Sequence, residues 1–173
     1  MDKNTLASFI FNAAEETFAT MLGSQVTHGE PSTGNPETVT ASDRVVALIG
    51  IAGCYNGTGI IDCSPELACK LSSQMLMTDF QVVNSDVLDA MSEISNIIFG
   101  NVKTMLEEQV GLLGLSIPTV IFGRNFCTRS VGEQWIAVPL KVDEYELELR
   151  MCLSQNHSSS RQNSARQSIT VSL

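Results

Sequence analysis

Apolar positions along this chain fall into distinct periods. Over residues 4–22 they stand at Leu6, Phe9, Ile10, Ala13, Ala14, Phe18, Met21 and Leu22. Steps of three and four put them on one stripe of an amphipathic helix, and Gly23 supplies a stop. Residues 28–43, with His-Gly-Glu-Pro-Ser-Thr-Gly-Asn-Pro-Glu, read as a loop. Residues 44–52 and 59–63 are rich in Val and Ile, and the turn cluster 53–57 between them predicts an antiparallel hairpin. Ser64-Pro65-Glu66 offers a capping hydroxyl, a proline in the first turn and an acid near the positive helix end. A helix should run from there to about Met77.

The longest pattern spans 85–111. Val87, Met91, Ile94, Ile98, Val102 and Met105 recur at helical steps, and Gly111 and Gly114 end the run. Strand candidates follow at 117–123, 134–142 and 145–153. Asp143-Glu144 is tight enough to pair the last two as a hairpin. These elements predict an α+β fold: an antiparallel sheet of about five or six strands, helices on one face, and one long helix. The pattern stops near residue 153. Residues 1–153 are expected to form one domain, and 154–173, rich in Ser, Gln, Asn and Arg, a mobile or appended tail.

Composition narrows the partners. The 173 residues suffice for one core without disulfides or metal. Net charge is -9. Beyond Ser154 the only formal charges are Arg161 and Arg166, so the remainder holds 8 basic against 19 acidic groups, or -11. Such a surface repels phosphate backbones and anionic lipid, so neither nucleic acid nor membrane is an expected partner. The N-terminal apolar run is interrupted by Asn12, Glu15 and Glu16, too polar for a signal peptide or spanning helix. Five cysteines, an odd number without a CxxC pair, read as free thiols in a reducing cytoplasm. His28 and His157 lie far apart, and no spacing suggests a metal site.

The candidate chemistry lies on the long helix. Asp89, Glu93, Asn96 and Gly100 follow at steps of four, three and four, on one face. That face is not the apolar stripe, so Glu93 and Asn96 should point outward side by side. The carboxylate offers an anchor for a cation, and the carboxamide both donates and accepts hydrogen bonds. Polar residues opposite a core are usually a solvated surface. Against that reading, Pro118 falls 22 residues beyond Asn96, and Glu-x-x-Asn with Pro at that distance is expected by chance only ~0.02 times in such a chain. Gly100 stands inside the helix at a cost of about 1 kcal/mol relative to Ala, for close packing or for a partner's clearance.

This pattern resembles the signature of the CheC/CheX/FliY phosphatases: Asp or Ser, Glu four later, Asn three later, Pro 22 beyond. The first helix and the Gly-rich hairpin leading to a Ser-Pro-Glu helix are also similar, so the likeness covers most of 4–153. CheC and FliY carry two such motifs. Here Glu15 is followed three later by Phe18, and Glu16 by Ala19, so a single motif points to the CheX type. The resemblance implies a cytoplasmic phosphatase acting on the aspartyl phosphate of a CheY-like response regulator. It makes Asn96 the catalytic residue that positions water and Glu93 the anchor for the regulator's lysine. Asp89 and Gly100 would join the docking face, and Pro118 would serve the framework. It implies no cofactor of the chain's own, Mg2+ on the partner regulator, and a homodimer. The rival reading is a non-catalytic binding or adaptor module for such a regulator.

Overall fold

The computed structural model describes residues 2–34, 38–39, 42–124, 127–128 and 134–156. The first amphipathic stretch is α1 (Lys3–Thr17), continued by a wider π turn, Phe18–Leu22, and closed by Gly23 at φ 62°. Leu6, Ile10, Ala13, Ala14 and Phe18 form its buried stripe. Where a loop is expected the chain instead forms short strands, beginning with β1 (Thr27–His28) and β2 (Ser32–Gly34). β3 (Thr38–Val39) follows.

The hairpin is β4 (Arg44–Gly53) and β5 (Tyr55–Cys63), tighter than the five-residue turn cluster suggests. Two of its glycines lie against the backbone of neighbouring segments. A Cβ on Gly53, at φ 146°, would lie 2.4 Å from the Leu112 carbonyl, and one on Gly57 would lie 2.1 Å from that of Cys152. α2 (Pro65–Leu76) starts as expected, with the Ser64 hydroxyl accepting from the Leu67 N–H at 3.2 Å.

α3 (Ser85–Val110) has 26 residues. The Asn84 side chain accepts from the Val87 N–H at 3.0 Å. After α3 come β6 (Leu113–Leu115), β7 (Thr119–Gly123), β8 (Cys127–Thr128), β9 (Trp135–Val142) and β10 (Tyr145–Gln155). Gly114, read as a helix stop, lies inside β6. β9 and β10 make the expected hairpin, Tyr145 facing Val142, with Asp143 at φ 52° in the turn. β10 runs two residues past 153. Asn156 then donates its N–H to the Cys54 carbonyl at 2.9 Å. The tail residues 157–173, His157 among them, lie outside the described residues.

All pairings are antiparallel. β9, β10, β5 and β4 form the middle of the main sheet. β1 and β2 both pair with the outer edge of β9, and β6 and β7 both pair with β4. The eight strand pieces therefore fill six positions across, consistent with the expected width; β3 and β8 pair separately. The helices pack on one face, over Val45, Ala47, Ile49, Ile61, Val138, Leu149 and Met151. The opposite face buries Val46, Ile60, Trp135 and Cys152 as a second cluster. By strand alternation it also carries Arg44, Asp62, Glu148 and Arg150.

Candidate functional site

α3 presents the site. Its buried positions, Val87, Ala90, Met91, Ile94, Ser95, Ile98, Phe99, Val102 and Leu106, hold it against the sheet and the other helices. With that stripe fixed, the 100° step of a helix leaves Asp89, Glu93 and Asn96 outward; all three are exposed and Gly100 is half-buried. The four occupy a sector of about 60° and span about 16 Å of axis. Glu93 and Asn96 are one turn apart, with Cβ atoms about 5–6 Å from each other. Among the described residues neither side chain has a hydrogen-bond or ion-pair partner, so both are available to an incoming molecule.

Both ends of the helix are anchored. Asn84 caps the start. Near the other end the Glu107 carboxylate accepts from the Leu113 N–H at 2.8 Å and from Lys103 Nζ at 2.9 Å. These two bonds, the backbone one foremost, hold its carboxyl below the usual glutamate range. Acidic side chains crowd the first half of α3: Asp86, Asp89 and Glu93. The outward face there suits a cation rather than a bare anion.

Pro118 is not on the helix. It is half-buried and immediately precedes β7, in the bulge that separates β6 from β7. There Gly50 and Ser116 exchange two bonds, Ser116 N–H to the Gly50 carbonyl at 2.9 Å and Gly50 N–H to Ser116 Oγ at 2.8 Å. A residue without an N–H is tolerated at such an interruption of an edge strand. α3 packs against β4, β5, β6 and β7, so the chain returning from α3 brings this bulge beside the helix. Ile117 in the bulge is 89% exposed; no period in the sequence marks it.

Phe18, three residues after Glu15, is fully buried, whereas Ala19 after Glu16 is exposed but has no amide. α1 therefore carries no second Glu-Asn pair. A pocket of about 630 Å³ opens elsewhere, beside α2, lined by Lys70, Ser73, Gln74, Met77 and Tyr145 among others. It includes none of the α3 residues. An exposed helix face is suited to docking a folded protein, whereas a pocket of that kind suits a small molecule. Among the described residues no three His, Cys, Asp or Glu side chains cluster as a metal site, and no helix is long and apolar enough to cross a membrane. Cys54, Cys63 and Cys69 are free thiols; the Cys127 side chain lies outside the described residues.

Known proteins resemble this chain in sequence and fold. The CheY-P phosphatase CheX of Thermotoga maritima is 29% identical over 131 residues, 73% of this chain and 81% of that protein. The chemotaxis protein CheX of Desulfovibrio desulfuricans superposes with a TM-score of 0.76 at 26% identity, covering 87% of this chain and 99% of the other. CheX of Borrelia burgdorferi, solved in complex with CheY, BeF3 and Mg2+, has the same fold, with a TM-score of 0.72 at 22% identity over 86% of this chain and 97% of the other. The sequence model of the family described as chemotaxis phosphatase CheX matches residues 45–141, a span that holds the hairpin, α2, all of α3 and Pro118. The chain belongs to the chemotaxis phosphatase CheX family.

Proposed function

We propose that this chain hydrolyses the aspartyl phosphate of a phosphorylated CheY-like response regulator, with Asn96 as the catalytic residue and Glu93 as the docking anchor. The observation that carries this is the pair itself. A carboxylate and a carboxamide, without intramolecular partners among the described residues, stand one turn apart on a fixed helix, in a chain of the CheX family. That the Borrelia burgdorferi relative was solved with CheY supports a regulator as partner.

An aspartyl phosphate has a good leaving group, so hydrolysis mainly requires a water in line with the breaking bond. The water oxygen attacks phosphorus. The bond to the aspartyl oxygen breaks, and the carboxylate leaves with the electron pair. Both protons of the water stay with the phosphoryl group, which is released as dihydrogen phosphate and then equilibrates with solvent. Asn96 suits this step because Oδ1 accepts an O–H of the water while Nδ2 donates to a phosphoryl oxygen. An aspartate there would bring negative charge against the phosphate. Glu93 pairs with the regulator's lysine, which sets the register that leaves Asn96 beside the phosphorus. Asp89, one turn before Glu93, extends the acidic docking face. Mg2+ is assigned to the regulator, where it neutralises phosphoryl charge.

The homodimer belongs to the same proposal. Bonding groups on the outer edges of β6 and β7, or of β1 and β2, would be covered by pairing with a second copy. Sedimentation should give twice the 18.7 kDa chain mass; a single-chain mass at micromolar concentration would refute it. The function is tested by following loss of phosphate from a phosphorylated CheY-like regulator with and without this chain. Acceleration at substoichiometric chain supports catalysis. Binding without acceleration would leave only the adaptor reading.

A further inference from the structure

Glycine inside a helix ordinarily has a reason within its own chain, and at Gly100 each such reason fails. The residue lies fifteen positions after Ser85 and ten before Val110, far from either end of α3. Its φ is not positive; among the described residues the glycines with positive φ are Gly23, Gly53 and Gly111. A Cβ built on it meets no atom within 4 Å among the described residues. Gly59 is the contrast: a Cβ there would sit 2.5 Å from the ring of Phe99, so packing within the chain requires it. The space over Gly100 is open instead, and it opens on the face that carries Asn96 one turn earlier, about 6 Å along the axis. One turn later, Thr104 folds its hydroxyl back to donate to the Gly100 carbonyl at 3.1 Å, directing its polar group at the helix rather than outward. Between Asn96 and Thr104 the helix surface is thus lowered to bare backbone.

We propose that the main chain of the phosphorylated regulator crosses α3 at this notch, so that Gly100 sets how closely the regulator approaches and how far Asn96 reaches toward the phosphate. The inference rests on the phosphatase reading and deepens it. A missing Cβ lets another backbone approach more closely than any other residue permits. Misplacement of the reacting groups by about 1 Å can cost a hundredfold in rate. Gly100 is in this sense a positioning residue that limits which regulators fit.

The test uses the full chain, a phosphorylated CheY-like regulator, and Gly100→Ala and Gly100→Leu. Both substitutions replace glycine by a better helix former in open space, so the melting temperature of each variant should rise by about 2–4 °C or hold steady. Dephosphorylation should move the other way. The rate at a fixed subsaturating concentration of regulator should fall about tenfold for Gly100→Ala and about a hundredfold or more for Gly100→Leu. A wild-type rate in both variants would overturn the inference, as would a loss of activity that tracks a loss of melting temperature. Failure of the phosphatase reading is distinct, since the unaltered chain would then give no acceleration. Regulator binding, measured in parallel, would still report on the notch.

Discussion

Removing the Asp62 carboxylate tests the energetics of the sheet independently of the site. Asp62 is 4% exposed on the face opposite the helices. It accepts from Arg44 Nε at 2.7 Å and from Arg150 Nη2 at 2.8 Å. The two partners are not equivalent. Arg44 keeps 24% of its side chain in water, so its pairing is screened. Arg150 keeps only 2%, and Glu148, 3.0 Å from its Nε, is itself 39% exposed. Asp62→Ala would therefore take from a buried guanidinium the buried carboxylate that faces its Nη2. Breaking a buried pair from one side costs about 3–5 kcal/mol, a large part of the roughly 5–15 kcal/mol that holds a domain together. In urea, with a slope of about 2 kcal/mol per molar, the midpoint should fall by about 2 M with the slope unchanged. Asp62→Asn, which keeps the shape and loses the charge, should fall between. The assay is equilibrium unfolding followed by far-UV circular dichroism. A cost below about 1 kcal/mol for Asp62→Ala would refute the reasoning, showing that Glu148 or water replaces the lost carboxylate.

Two further outcomes follow from single groups. Burial, the largest cause, pushes the Cys63 thiol from its ordinary 9.0 up to about 12. The folded state then retains a proton that the unfolded chain loses, so the contribution is complete below pH 9, declines by about 1.4 kcal/mol per pH unit above it, and ends near pH 12. Stability curves of wild type and Cys63→Ala should therefore converge between pH 9 and 11; parallel curves would contradict the buried neutral thiol. Glu93→Gln keeps shape but loses charge. A charge-assisted bond worth about 1.5–3 kcal/mol predicts a tenfold to hundredfold rise in the regulator concentration for half-maximal dephosphorylation. An unchanged half-saturation with a collapsed maximal rate would instead make Glu93 a general base.

What could be read ahead in the chain depended on period and local chemistry. α3 was legible because six apolar residues repeat at helical steps over positions 87–105, and their phase alone directs Asp89, Glu93 and Asn96 outward. α2 was legible from Ser64 and Pro65, and the β9–β10 hairpin from Asp143-Glu144. β1 and β2 were not. Thr27-His28 and Ser32-Thr33-Gly34 are exposed on both faces and have no alternation to find. They are strands because the open edge of β9 offers partners for their backbones. Gly114 misled for a related reason: a glycine after a helix reads as a stop whether the chain turns or continues into an edge strand such as β6. The Arg44–Asp62–Arg150 group was equally hidden, since it joins β4, β5 and β10, and only strand pairing brings those residues together. At the site, the sequence located Gly100 but left open close packing and partner clearance. Only the empty space around it favours clearance.

Asn96 is proposed to carry the hydrolytic step, and Asn96→Ala tests that role most directly. The side chain is exposed and without intramolecular partners among the described residues, so truncation should leave the melting temperature and regulator binding near those of the unaltered chain. The rate at saturating phosphorylated regulator should fall by about a hundredfold or more, the loss typical when one positioned polar group is removed from a transition state. Turnover within a few-fold of the unaltered chain, with binding intact, would contradict the assignment.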